Sequence, residues 1–588
     1  MRVVDAIADW FSEVGVEHYF GYAGGAIWPI MDALIDHPEM EGIQTKHEEH
    51  AVHAADIYNR TTGKVAPVIV TKGPGLLNCV SGVATAMHDQ AAVMVIGGGG
   101  STHLLGKGSM QELYYKGFED AVSIFRPITK GSWLAVRPDT VIDVLNYAYK
   151  VATTGRKGPV FVQLPLDIQL AEVEGEIEGP ARRTIVTRSR PARSSIERTV
   201  ELLEGAERPL IVAGGGLVQA GGHEELRTFA EGLGIPVATT LTAKGILPED
   251  HPLALGPTGR SGTQAAVDAT RRADVVLAIG ARFSDHHTSQ WRKGKIYDVT
   301  KTKIVQVNID ADEVARNFPV EVGIASDAVA FLDDLAEATA GLQRDWSAWR
   351  SETDAFMAAW REQMAPIVGA GGDDGVHPGR LVHEIGEALG EQGRVFIDVG
   401  DVIQYAEPYM TVRRHDAWHI TPGMAQMSWA VSGVLGAVVA DRSRPAIAVT
   451  GDGAFNMASN VLTSAVEYDL PAIWVILNNT ELGIERKGAQ GTFQRTHPWY
   501  HFVRKDTGEP YNPDYVKLAE ANGAMAERVE RADDLRGALE RAIASKRPYV
   551  VDVKIDVSPG SYFVQGVDRN YPDTWNASYP AHGSMTVA

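Results

Sequence analysis

Apolar runs of strand length recur along the chain and turn through glycines or polar residues into stretches with helical spacing. Examples are VIVTKGPG at 68–75, LIVAGGG at 210–216, VVLAIGARFSD at 275–285, IVQVNID at 304–310, AIAVT at 446–450 and AIWVIL at 472–477. Runs that are apolar on both faces suit strands buried between two helical layers, so the alternation predicts an α/β protein with parallel sheets flanked by helices. Two stretches break the rhythm. Residues 171–195 read as an acidic, then basic, Pro-containing connector, and 364–377 as a Gly-rich one. They divide the chain into domains at 1–170, 190–345 and 376–557, followed by a turn-rich aromatic tail at 558–588. The Tyr, Phe and Trp content of the tail predicts that it packs on the body of the protein, as a lid. VIVTKGPG and IAVTGDGA echo one another, which predicts two related sheet domains, one of them with added metal ligands.

Bulk composition narrows the function classes. A chain of 588 residues exceeds a single core. Its net charge of −20, from 55 basic and 75 acidic side chains, argues against a nucleic-acid or anionic-membrane partner. The single cysteine, Cys79, excludes intrachain disulfides and thiolate metal clusters and fits a reducing compartment. The opening MRVVDAIADWFSEVGVEHYF reads as an amphipathic helix, not a signal peptide. No run of about 18 uncharged apolar residues occurs, so no membrane span is expected, and a cytoplasmic location is.

The strongest chemical signal is Gly451-Asp452-Gly453, directly after AIAVT, paired with Asn478-Asn479 at the end of AIWVIL. One helix-length segment separates them. A strand–helix–strand unit brings both strand ends to one edge of a parallel sheet. There a carboxylate and an amide oxygen converge with backbone carbonyls on a small hard cation, beside glycines that admit a diphosphate. A turn Asp with two capping asparagines is the bland alternative, and the pairing and spacing argue against it. A second signal is His47-Glu48-Glu49-His50 at a helix start. The histidines stand at i, i+3 with no third ligand pattern, so a zinc site is not expected there.

Taken together, GYAGGAIWPIMDAL (21–34), KHEEHAVHAADIYNRTTGK (46–64), RPITK (126–130) and the GDG…NN pair, in this order, resemble one family over nearly the whole chain. It is the thiamine diphosphate-dependent family of acetohydroxyacid (acetolactate) synthases, oxalyl-CoA decarboxylases and 2-hydroxyacyl-CoA lyases. The resemblance implies pyrimidine-binding and diphosphate-binding domains around a nucleotide-fold middle domain. It assigns Mg²⁺ to Asp452, Asn479 and the main-chain oxygen of Glu481, and the cofactor's diphosphate end to Gly451, Gly453, Ala454 and Gly483. Glu48, with Glu49 as runner-up, would hydrogen-bond the aminopyrimidine N1′. Such a carboxyl must hold a proton near neutral pH, which predicts a pKa raised by burial. Met427 would support the bend of the cofactor. Gly24, Gly25 and Ala26 would lie beside the reacting carbonyl, Gln111 would point at the intermediate, and Lys130 matches a motif lysine. The cofactor would sit between Glu48 of one subunit and Asp452 of another, making a homodimer the minimal unit, commonly paired into a homotetramer. The reaction class is cleavage or formation of a C–C bond through a cofactor-bound carbanion.

Four departures from the synthases bear on substrate. Gly488 replaces a pocket tryptophan, His286 stands where a flavin-contacting arginine is expected, and Gly400-Asp401-Val402 replaces a Gly-Gln-His diphosphate contact. AKGILPEDHP (243–252) resembles the oxalyl-CoA decarboxylases. FAD is therefore not expected, and ADP or CoA is left open in the middle domain. Arg292, Lys293, Lys295, Arg486 and Lys487 are candidate contacts for CoA phosphates, and Glu485 faces the substrate as a proton donor or acceptor. The preferred expectation is a 2-hydroxyacyl-CoA lyase giving formyl-CoA and a carbonyl compound. The alternatives are an acetolactate synthase-like carboligase on 2-oxo acids and a non-catalytic homologue.

Overall fold

The computed structural model describes residues 1–117, 119–173, 187–371, 375–560 and 562–567. It contains three six-stranded sheets in which every neighbouring pair of strands is parallel. The first holds β1 (His18–Tyr22), β2 (Glu41–Gln44), β3 (Pro67–Val70), β4 (Met94–Gly99), β5 (Gly131–Leu134) and β6 (Val160–Pro165), in the order β2-β1-β3-β4-β6-β5. The second holds β7 (Pro209–Ala213), β8 (Val237–Thr239), β9 (Ala254–Pro257), β10 (Val275–Ile279), β11 (Lys303–Asn308) and β12 (Val322–Ala325), in the order β12-β11-β10-β7-β8-β9. The third holds β13 (Arg394–Ile397), β14 (Trp418–Ile420), β15 (Ala446–Gly451), β16 (Ala472–Asn478), β17 (Met525–Val529) and β18 (Tyr549–Lys554), in the order β14-β13-β15-β16-β18-β17. The first and third sheets share one topology, and the middle sheet has the doubly wound order of nucleotide folds.

Six helices frame the candidate site and join the domains: α1 (Glu48–Thr62), α2 (Ser347–Val368), α3 (Asp401–Tyr409), α4 (Trp429–Ala440), α5 (Asp452–Ala458) and α6 (Gly483–Phe493). Helices α1 and α4 come after the second strand of the first and third sheets, and they pack on each other at the centre of one apolar core shared by the two domains. Glycine makes that crossing close. A Cβ on Gly436 would stand 1.9 Å from the Ala54 carbonyl oxygen, and one on Gly433 would stand 2.5 Å from Ile57 Cδ1. The Trp429 indole donates to Asp56 Oδ2 at 3.2 Å, and His53 Nδ1 lies 2.8 Å from Ser432 Oγ.

The Gly-rich connector expected at 364–377 begins inside a helix. The segment 364–377 is not a loop throughout, because α2 continues to Val368. Its buried Trp349 donates to the Pro209 carbonyl at 2.9 Å, and Trp360 stacks on Tyr409 at 6.0 Å, so this helix ties the middle domain to the third. The start of the tail makes a second tie. Tyr562 packs edge-on against Tyr409 at 5.4 Å, and the Val564 amide donates to the Arg260 carbonyl at 3.0 Å. The lid expected of the tail lies, from 568 on, outside the described residues. Among the described residues, no helix is long and apolar enough to cross a membrane.

Candidate active site

In the third sheet the strand order reverses between β13 and β15, and segments leaving the sheet on either side of a reversal open a crevice at its carboxyl edge. A cavity of about 300 Å³ lies there, and Met427, Gly451, Asp452, Gly453, Ala454, Asn479, Glu481, Gly483 and Glu485 all line it. Sequence spacing and tertiary structure thus agree on which residues meet.

Asp452 is 1% exposed. Its Oδ1 accepts from the Gly453 amide at 2.7 Å, and its Oδ2 accepts from the Thr480 amide at 2.6 Å and from Asn512 Nδ2 at 2.7 Å. Burial pushes its carboxyl up to about 6, only partly offset by hydrogen bonds from Asn512 and from backbone amides, all neutral donors. A buried carboxylate served only by neutral donors is one that a cation stabilises. Asn479 Oδ1 accepts from the Glu481 amide at 3.2 Å, and Thr480 between them adopts a left-handed φ of 55°. That turn is pinned by the Leu482 amide to the Tyr500 carbonyl and by the Phe502 amide to the Thr480 carbonyl, both at 2.8 Å. Among the described residues, no three His, Cys, Asp or Glu side chains gather as a metal site. A single carboxylate, an amide and a main-chain carbonyl suit Mg²⁺, which keeps its remaining positions for waters and phosphate oxygens.

Met427 sits between Ala425 and Ser428, whose φ values of 52° and 76° are both left-handed. The loop is held from below by Asp398 at the end of β13, whose Oδ1 accepts from the amides of Ser428 at 2.9 Å and Val399 at 2.8 Å. Asp398 is fully buried, and burial pushes its carboxyl up to about 7. Gly453 packs closely against the side-chain ends of Leu482 and Met427. A Cβ there would stand 2.9 Å from Leu482 Cδ2 and 3.4 Å from Met427 Cε. Glu485, which lines the cavity, is exposed, whereas Gly488 does not line it, and a Cβ there would meet nothing within 4 Å.

The remaining predicted residues gather elsewhere, at the reversal between β1 and β3 of the first sheet. Glu48, 8% exposed, accepts at Oε2 from Asn78 Nδ2 at 2.9 Å. A Cβ on Gly24 would stand 2.6 Å from Thr71 Cβ, and the Ala26 amide donates to Thr71 Oγ1 at 3.2 Å. Gln111 is exposed, with φ 62°, and its carbonyl stands 2.5 Å from where a Cβ on Gly73 would be. None of Glu48, Gly24, Gly25, Ala26 and Gln111 lines the cavity at Asp452. The predicted residues thus lie in two separate places on the chain.

Other candidates have specific partners. Lys487 pairs with Asp401, and Arg486 lies 2.5 Å from Glu481 Oε2. Lys295 donates to the Gly566 carbonyl at 3.1 Å, Arg292 donates to Ser289 Oγ at 2.9 Å, and Lys293 is exposed. Lys130 donates to the Thr154 carbonyl at 2.9 Å, closing a helix end. His286 Nε2 lies 2.8 Å from Glu407 Oε2 of the third domain. Two contributors escaped the sequence reading. Asn512 joins Asp452 to Asn478, and Asn78 holds Glu48. Both lie in segments whose residue types mark no chemistry.

Comparison with known proteins agrees with this layout. Three family descriptions match in order: the N-terminal TPP binding domain of thiamine pyrophosphate enzymes over 1–121, their central domain over 196–335, and their C-terminal TPP binding domain over 398–553. A probable acetolactate synthase large subunit of Methanocaldococcus jannaschii is 34% identical over 567 residues, covering 95% of this chain and 92% of that protein. The acetolactate synthase large subunit of Corynebacterium glutamicum is 32% identical over 94% of this chain and 86% of its own length. The isozyme 3 large subunit of Escherichia coli K12 is 30% identical over 95% and 96%. With thiamine diphosphate-binding domains at both ends and relatives aligned along nearly its whole length, this chain belongs to the thiamine diphosphate-dependent acetohydroxyacid synthase family of enzymes.

Proposed function

We propose that this protein is a Mg²⁺- and thiamine diphosphate-dependent carboligase of the acetolactate synthase type, joining 2-oxo acids. The observation that carries the reading is the buried Asp452 carboxylate, served by neutral donors and facing Asn479 and the Glu481 turn across one cavity. The full-length relatives support the choice of reaction. They bear acetolactate synthase names, and the expectation of a 2-hydroxyacyl-CoA lyase gives way to them. The basic residues expected to meet CoA phosphates weaken that expectation further, since Arg486 is engaged by Glu481, Lys295 by the Gly566 carbonyl and Arg292 by Ser289. His286, engaged by Glu407, fits a reading without flavin.

In this reading Asp452, Asn479 and the Glu481 carbonyl hold Mg²⁺, and Gly451, Gly453, Ala454 and Gly483 face the diphosphate. Met427, which lines the cavity, would pack against the bound cofactor. When bound, thiamine diphosphate supplies a carbon nucleophile and an electron sink beside the substrate carbonyl. Glu48 of a second chain holds a proton at N1′ of the pyrimidine, and a homodimer is therefore the minimal unit, with a tetramer of two such pairs. The Gly24 and Gly25 amides serve the substrate oxygen, because the Ala26 amide is engaged by Thr71. Gln111 and Glu485 orient and protonate the reacting substrate. Incubation with pyruvate, Mg²⁺ and thiamine diphosphate should give acetolactate. Turnover of formyl-CoA with acetone, and none of pyruvate, would reverse the assignment, and no turnover of either would favour a non-catalytic homologue.

A further inference from the structure

Five carboxylates line the cavity, Asp401, Asp452, Glu481, Glu485 and Asp556, against one basic side chain, Lys487. A diphosphate brings further negative charge, and one divalent ion beside Asp452 offsets only part of it. Arg486 already serves Glu481. Lys487 is therefore the ammonium on which the charge balance of the cavity turns.

Its placement is built from three sides. Lys487 is 9% exposed. Its Nζ donates to Asp401 Oδ2 and, at 3.1 Å, to the Tyr405 hydroxyl, and it lies 5.3 Å from the centre of the Tyr405 ring. The Tyr405 hydroxyl in turn lies 3.0 Å from the Gly560 carbonyl, which fixes the ring against the start of the tail. The cluster also adjoins the diphosphate-facing turn, because Asp401 Oδ2 stands 3.2 Å from where a Cβ on Gly483 would be. A buried ion pair whose only task is to brace two helices is readily replaced by apolar side chains. This one opens onto the cavity, between Gly400, which precedes α3, and Gly483, which opens α6.

We propose that Lys487 is a diphosphate-binding residue, its ammonium meeting the terminal phosphate of thiamine diphosphate, with Asp401 and Tyr405 as positioning residues. The inference rests on the thiamine diphosphate reading and adds a residue to it. It also accounts for Asp401 at a place where an acid alone would repel the ligand. The carboxylate holds the ammonium, and the ammonium serves the phosphate.

Equilibrium binding, read by quenching of intrinsic tryptophan fluorescence in excess Mg²⁺, tests this with thiamine diphosphate and with unphosphorylated thiamine. Lys487→Met should weaken thiamine diphosphate on the order of ten- to hundredfold, as expected for losing a charge-assisted hydrogen bond, and leave thiamine unchanged. Asp401→Asn should keep or tighten the diphosphate affinity. The double variant should remain as weak as Lys487→Met, and Lys487→Arg should recover part of the loss. Wild-type affinity in Lys487→Met, or its restoration in the double variant, would overturn the inference and leave Lys487 as a neutraliser of Asp401. Wild-type protein that binds no thiamine diphosphate would instead overturn the functional reading itself. If melting shows that Lys487→Met does not fold, Lys487→Gln with Asp401→Asn carries the same measurement on a neutral, hydrogen-bonding pair.

Discussion

The first and third sheets have the same strand order, and each carries half of the candidate site at the same topological place, the reversal between its first and third strands. The chemistry placed there differs. After β15 the chain runs Gly451-Asp452-Gly453, whereas after β3 it runs Thr71-Lys72-Gly73, with no acid at the turn. The helices after the second strands show the same contrast. Helix α1 opens on Glu48, while the segment leading into α4 carries Met427. Topology therefore decides where a ligand can be received, and a few side chains at the strand ends decide what is received. Because α1 and α4 cross through glycine contacts in one chain, the two halves are locked together as a rigid pair, yet Glu48 stays outside the Asp452 cavity. The proposed homodimer rests on this separation.

The contrast is most sharply broken at Glu48. Glu48→Gln should leave the fold intact and slow exchange of the cofactor's C2 proton by about 10²- to 10⁴-fold, measured by NMR in deuterated solvent. An unchanged rate would remove the carboxylate from activation. Next comes Asp452→Ala. It should abolish saturable Mg²⁺-dependent binding of thiamine diphosphate, measured by calorimetry, and affinity that survives in chelator would refute the metal role. Gly436→Val attacks the crossing itself, driving a side chain into the Ala54 carbonyl. It should cost about 1–3 kcal/mol in urea unfolding, with the first and third domains losing structure together. Separate transitions would show that the shared core does not couple them.

An effect of similar size, but dependent on pH, concerns Asp398, which holds the Met427 loop. Burial raises its folded pKa from 3.8 to about 7, so the native state keeps a proton that the unfolded chain releases. Its contribution to stability is full below about pH 4 and is lost as pH rises through about 7. Asp398→Asn should flatten that part of the pH profile by about one to a few kcal/mol, read from urea midpoints. A profile identical to wild type would mean that the buried carboxyl does not titrate there.

Much of the site was legible from residue order. Asp452 and Asn479 are joined by one crossover between adjacent parallel strands, its helical segment broken into Asp452–Ala458 and Val461–Glu467, so their meeting comes from local rules, and the apolar runs announced the parallel sheets. The Lys487–Asp401 pair was not legible, because its partners lie 86 positions apart and the sequence reading gave each a separate role, Lys487 at CoA phosphates and Asp401 in a changed diphosphate contact. Asn512 reaches Asp452 across 60 positions from a loop without periodicity. Helix α2 was partly hidden because MAPIVGAGG mixes its last turn with a true Gly-rich exit.

By itself, then, the order of residues determined the three α/β units, the acid–amide pair and the kind of ligand that pair attracts, since each depends on neighbours within a single supersecondary unit. Only the tertiary structure decided that Glu48 lies outside the Asp452 cavity, that Asp401 pairs with Lys487 and that two domains share one core. Those outcomes depend on which distant surfaces exclude water together, and burial of that kind is a property of the packed chain, absent from any short stretch of it.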